Sequence, residues 1–99
     1  MDAMLFVVVA IDKLDSQALR LATREAHFAY MRETAVGKLG GPFLDEAGAM
    51  NGSLVIFEAE SLEAAKQWHA NDPYVKAGLF AHSEVRPWKP TLNPIGAKL

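Results

Sequence analysis

Two stretches of this 99-residue chain restrict its fold more than anything else in it. Met4 to Ile11, MLFVVVAI, and Ser53 to Ala59, SLVIFEA, are apolar runs free of Gly and Pro. Both read as strands, rich in β-branched and aromatic residues. Side chains alternate between the two faces of a strand, so Leu54 and Ile56 point one way and Val55 and Phe57 the other. Neither face is polar. Strands of this kind sit in the middle of a sheet and need cover on both sides.

The weaker strands flank them. Gly37 to Leu44, with KLGGPF at its centre, carries three glycines and Pro42, which confines it to an edge or a strand end. Asp45 to Gly52, DEAGAMNG, is a polar turn ending in the Asn-Gly dipeptide that favours tight hairpins. Leu79 to Trp88 alternates, with Leu79, Ala81 and Val85 on one face, and Pro87 again marks an edge. Ser16 to Ala35, SQALRLATREAHFAYMRETA, is the longest helix, with Ser16 as N-cap and Gly37 where it stops. Leu19, Ala22, Ala26, Ala29 and Tyr30 form its core face, while Arg20, Arg24, His27 and Met31 form a second, mixed stripe. Ser61 caps a shorter helix with Leu62, Ala65 and Trp68 as its apolar stripe. Asp72-Pro73 then opens a single helical turn that Gly78 ends.

The order strand, helix, strand, strand, helix, strand predicts an α+β, ferredoxin-like β-α-β-β-α-β fold with an antiparallel sheet. It forms one domain over residues 1–99, with strands one and three central and an irregular tail from residue 89. In this topology both helices cover one face of the sheet. The other would expose a large apolar patch, which a second copy of the chain is suited to cover. A homodimer through the sheet face is therefore predicted, with the apolar, proline-spaced tail (Trp88, Pro90, Leu92, Pro94, Ile95) lying against the partner.

Charge and composition exclude several classes. A formal charge of −2 and the absence of any Lys/Arg run argue against a nucleic-acid partner. The chain has no cysteine, which removes disulfides, thiolate metal sites and cysteine nucleophiles and fits a cytoplasmic protein. The opening MDAMLFVVVAID lacks a basic n-region and is too short to span a membrane, so it reads as folded structure. No HxxxH spacing marks a metal site and no Gly-rich loop opens a helix to cradle phosphate.

Arg24-x-x-His27, Gly41-Pro42, Gly52-Ser53 and Asp72-Pro73-Tyr74 occur in an order that resembles the YCII (YciI-like) family. Ala64-Ala65-Lys66, Trp68, Val75 and Ala77-Gly78 extend the resemblance over nearly the whole chain. It implies a dimeric α+β barrel and a pocket with a catalytic His–Asp pair, here His27 and Asp72. Arg24, Ser53, Tyr74 and the Gly41-Pro42 backbone would bind a small-molecule ligand in that pocket. No cofactor and no metal are expected. One activity known in the family is dehydrochlorination of a chlorinated hydroxyquinol.

The chemistry of these residue types agrees. An imidazole accepts a proton near neutral pH, and a carboxylate on its far nitrogen fixes the tautomer and stabilises the imidazolium. Such a pair suits proton abstraction, elimination or isomerisation on a small oxygenated ring or acid, with Arg24 holding an anionic oxygen. Plainer roles stand beside these. Asp72 is also a good helix cap, and the two roles are compatible because a carboxylate has two oxygens. Ser53 also reads as a strand-start hydroxyl, Tyr74 as a core residue, Arg24 as a surface cation and His27 as a boundary histidine. His69 is predicted solvated and His82 near the rim of the sheet face. A non-catalytic ligand-binding or accessory dimer, and a related dimeric-barrel isomerase or monooxygenase, are the alternative functions.

Overall fold

The computed structural model describes residues 4–99; the reading of Met1 to Ala3 as folded structure lies outside the described residues. The elements are β1 (Met4–Asp12), α1 (Gln17–Thr34), β2 (Gly37–Leu44), β3 (Met50–Ala59), α2 (Leu62–Ala70), α3 (Pro73–Lys76) and β4 (Phe80–Pro87). The sheet runs β2-β3-β1-β4, and each neighbouring pair is antiparallel. This is the ferredoxin-like α+β arrangement, with the two runs free of Gly and Pro at its centre.

β1 and β3 pair in register, Phe6 opposite Phe57, Val8 opposite Val55 and Ala10 opposite Ser53. These alternate residues face the helices. Phe6, Val8, Ala10, Phe57 and Ala65 form the core, with Trp68, Phe80, Val36 and Val85 packed around it. Trp68 stacks on Phe57 at 4.2 Å between ring centroids. Leu5, Val7, Val9 and Ile11 on β1, and Leu54 and Ile56 on β3, point to the opposite face. Among the described residues no helix lies over it; Ile56 at its centre is buried, while Ile11 remains about half exposed.

Several local expectations change. Ser16 makes no capping bond through its side chain, whereas Ser61 accepts from the Ala64 N–H at 3.0 Å. α1 ends at Ala35 in the left-handed conformation (φ 56°), not at Gly37, which begins β2. The β2–β3 turn is closed by the Asp45 side chain, whose Oδ1 accepts from the Ala47 and Ala49 N–H groups, with Gly48 at φ 87°. Asn51-Gly52 therefore lies inside β3. Gly52 is needed there for a different reason: a Cβ would stand 2.5 Å from the Ala10 carbonyl oxygen.

The largest correction concerns α1. Its anticipated core residues Leu19, Ala22 and Ala26 are exposed, while Arg20 and His27 from the mixed stripe are buried. The helix is fastened by polar contacts, not an apolar stripe, because each buried polar group has its own partner. Tyr30 donates to the Trp68 carbonyl at 2.8 Å, and Trp68 Nε1–H donates to Thr34 Oγ1 at 3.0 Å. The tail stays irregular apart from a turn in which Asn93 and Ala97 exchange two hydrogen bonds, and Leu92 and Ile95 are exposed. Among the described residues no helix is long and apolar enough to cross a membrane.

Candidate functional site

The side chains that fasten α1 also build the site. Asp72 ends the loop after α2, and Pro73 starts α3 at the position where a missing N–H costs nothing. The Asp72 carboxylate caps this turn, its Oδ1 accepting from the Tyr74 N–H at 2.9 Å. The same carboxylate meets His27 Nδ1 at 2.9 Å through Oδ1 and 3.1 Å through Oδ2. Capping and pairing thus coexist in one buried group. An ionised carboxylate only accepts, so Nδ1 carries the proton and Nε2 is the basic nitrogen.

Nε2 has no hydrogen bond among the described residues, and no buried side-chain nitrogen or oxygen among them is left without a partner. Nε2 is therefore open to a cavity of about 360 Å³ that His27 lines. Its volume falls in the range of small-ligand sites. The cavity lies between α1 and the β2–β3 half of the sheet. Arg24, Phe28 and Met31 form its helix wall, and Leu39, Gly40, Gly41 and Pro42 its edge-strand wall. Ser53, Val55 and Tyr74 close the inner end.

All the residues singled out from the sequence converge here. His27, Arg24, Ser53, Gly41, Pro42 and Tyr74 line the cavity, and Asp72 stands behind His27. Tyr74 is buried and stacks on the imidazole at 4.1 Å with a 17° interplanar angle. Burial pushes its hydroxyl pKa up; the charges of Arg20 and Arg24 oppose the shift and that of Asp72 adds to it. Tyr74 is accordingly a neutral hydroxyl at physiological pH. Arg24 is exposed, with its guanidinium 5.4 Å from the Phe28 ring centroid.

Sequence reasoning missed a second buried pair. Arg20 donates to Asp12 through Nε at 2.7 Å and Nη2 at 2.9 Å. Nη2 also donates to the Gly52 carbonyl and to Ser53 Oγ, each at 2.9 Å. The signal was present: Asp12 holds the last helix-facing place of β1, in line with Phe6, Val8 and Ala10, where a lone carboxylate needs a partner. The Arg20 guanidinium carbon lies 4.8 Å from the Tyr74 ring centroid, so Tyr74 touches both pairs.

The other histidines are set apart. His69 is buried, contrary to expectation, with Nε2 3.0 Å from Ser83 Oγ and its ring stacked on Phe80. Burial lowers its pKa, and the charge of Asp72 opposes that shift. The reason is packing: α2 lies across β4, so the residue after Trp68 meets the sheet and not solvent. His82 is exposed on the bare sheet face, opposite Ile11. Among the described residues no group of three or more His, Cys, Asp or Glu side chains is placed to hold a metal ion.

Comparison with known proteins gives consistent findings. A model of the YCII-related domain matches residues 4–89. Protein YciI of Escherichia coli is 42% identical over 95 residues, covering 87% of this chain and 97% of that protein. An uncharacterized protein of Haemophilus influenzae is 41% identical over 96 residues, with the same coverage. Among solved structures, the 5-chloro-2-hydroxyhydroquinone dehydrochlorinase of Burkholderia phenoliruptrix, in complex with 2,5-dihydroxybenzoquinone, superposes with a TM-score of 0.78 at 38% identity. The match covers 87% of this chain and 94% of that one.

Proposed function

The chain belongs to the YCII-related domain family, and from that membership and the site's geometry we propose a cofactor-free enzyme that removes a proton from a small oxygenated ring or acid. His27 is the base and Asp72 its partner. One observation carries the reading: His27 Nδ1 is held against both Asp72 oxygens while Nε2 opens on a cavity of ring size. In the step, Nε2 takes the proton and the bonding pair moves into a new π bond. Either a leaving group departs with its own pair, giving elimination, or the proton returns elsewhere, giving isomerisation. The charge of Asp72 stabilises the imidazolium in between. Likeness to a dehydrochlorinase supports the eliminating form. We further propose a homodimer in which the uncovered sheet faces of two copies meet and the tail of each lies along its partner.

The test uses 5-chloro-2-hydroxyhydroquinone as substrate and follows chloride release. The wild type should turn it over, and His27→Gln should lose on the order of 10²-fold or more, the usual contribution of a general base. Undiminished release by His27→Gln would remove His27 from the reaction. Binding of 2,5-dihydroxybenzoquinone without any turnover by the wild type would instead favour a ligand-binding dimer.

A further inference from the structure

We propose that Arg20, clamped by Asp12, is the anion receptor of this cavity, so that its ligands are small planar molecules bearing negative charge on an oxygen; this rests on the reading of His27 as the base. Arg20 is only 3% exposed, yet it lines the cavity. Nε and Nη2 are taken up by Asp12, the Gly52 carbonyl and Ser53 Oγ. Nη1 takes part in none of these four bonds; beyond them the guanidinium interacts with the neighbouring Tyr74 hydroxyl, and no buried polar side-chain atom among the described residues is unsatisfied. Nη1 is thus the nitrogen that those four bonds leave for the cavity that Arg20 lines.

Its surroundings favour an anion. Ser53 Oγ accepts from Arg20 and keeps its own proton to donate. The Tyr74 hydroxyl is a further neutral donor. Asp12 stands behind the guanidinium and does not line the cavity, so a ligand meets the positive end of the pair. No carboxylate is among the lining side chains, while Arg24 and Lys38 are. Arg20 also differs from Arg24 in kind. Four hydrogen bonds fix its plane, so its free N–H groups are already aimed and lose little freedom on binding.

The placement complements the base. When Nε2 of His27 takes a proton from a C–H or O–H conjugated with a carbonyl, that bond breaks and an N–H bond forms. The released pair enters the conjugated system and the charge appears on the carbonyl oxygen. Nη1–H of Arg20 and the Ser53 hydroxyl are the fixed donors for that oxygen, at the buried inner end of the cavity. No electrons leave the substrate, so no oxidant is needed.

The experiment compares 2,5-dihydroxybenzoquinone, as its anion, with its neutral 2,5-dimethoxy ether by calorimetry at one ionic strength. The wild type should bind the anion at least tenfold more tightly, and Asp12→Asn/Arg20→Gln, which removes both charges together, should lose that preference. Arg24→Gln should reduce it by no more than about threefold, since an exposed cation is screened. Should the double variant not fold, the wild type still decides. The side-chain ¹⁵N resonances of Arg20 should shift on adding the anion and stay in place with the ether. Equal binding of the two quinones, binding of neither, a retained preference in the folded double variant, or unmoved Arg20 resonances each overturn the proposal. Loss of chloride release in His27→Gln with anion preference intact would separate the receptor from the base. Intact release in that variant would remove the base and leave the receptor to stand on binding alone.

Discussion

At the scale of single residues, Asp72 holds two roles on one carboxylate, and substitution separates them. Asn caps helices about as well as Asp, so Asp72→Asn should change stability by less than about 1 kcal/mol. It removes the charge that balances the imidazolium, and turnover should fall by roughly 10²-fold or more. Asp72→Ala should lose the cap as well, costing about a further 0.5–2 kcal/mol. Thermal melts beside chloride-release rates check both; a melt that drops as far as the rate would reduce Asp72 to a cap. His69 makes a separate prediction. Its folded pKa is lowered by burial, so the unfolded chain binds the proton more readily. The stability this group contributes is complete above the ordinary histidine value near 6.5 and is lost as pH falls from there toward its folded value. Denaturant unfolding from pH 7 to 5 should show a shallower loss for His69→Gln than for the wild type, and parallel curves would contradict this. His27 and Asp72 were legible as a pair only through the family resemblance, since they lie 45 residues apart and the local signals alone read as a boundary histidine and a helix cap. Arg20 was not, since its partners Asp12, Gly52 and Ser53 lie up to 33 residues away and meet only after the strands pair.

At the scale of elements, the central strands and the order of helices followed directly from pattern, because buried strands tolerate no polar face. The orientation of α1 did not. Leu19, Ala22 and Ala26 of its apolar face stay in solvent, and its buried side is defined by partners on β1, on β3 and at the cap of α3. Hydrophobic periodicity has no means of registering a helix docked through ion pairs. The Asn-Gly signal misled for a related reason: Asp45 closes the turn earlier, and Gly52 is retained for contact. That contact makes a prediction. A methyl at Gly52 would meet the Ala10 carbonyl oxygen at 2.5 Å and Phe43 Cδ2 at 2.9 Å, and the backbone oxygen has nowhere to go. Gly52→Ala should destabilise by about 2 kcal/mol, a fall in Tm on the order of 10 °C. Gly41→Ala, where a Cβ meets nothing within 4 Å, should shift stability by less than about 0.5 kcal/mol. Equal melting temperatures for the two variants would discredit the clash.

At the scale of the whole molecule, the sheet has one face under helices and one without cover. Apolar burial contributes roughly 25 cal/mol per Å², so meeting a second sheet is strongly favourable before the cost of association. Ile11 sits on that face about half exposed, away from the core and from the cavity lining. Ile11→Lys should leave the fold intact and weaken the proposed dimer on the order of 10²-fold, since two-fold symmetry would place the charge in its interface twice. Sedimentation at micromolar concentration checks this, and a folded wild-type monomer there would refute the pairing. The cavity's two walls also differ in how freely they can be altered. The inner end is tied into the architecture: Asp72 caps the four-residue α3, Tyr74 lies within it, and Arg20 binds β1 and β3 together. A change there that removes a cap or a clamp is felt by the fold. The outer wall belongs to the edge strand β2 and to the half-exposed side chains Phe28 and Leu39, which the core does not use. On the proposed reading, the groups that move a proton and receive the anion share their residues with the scaffold, while the outer border is free to vary one residue at a time without disturbing it.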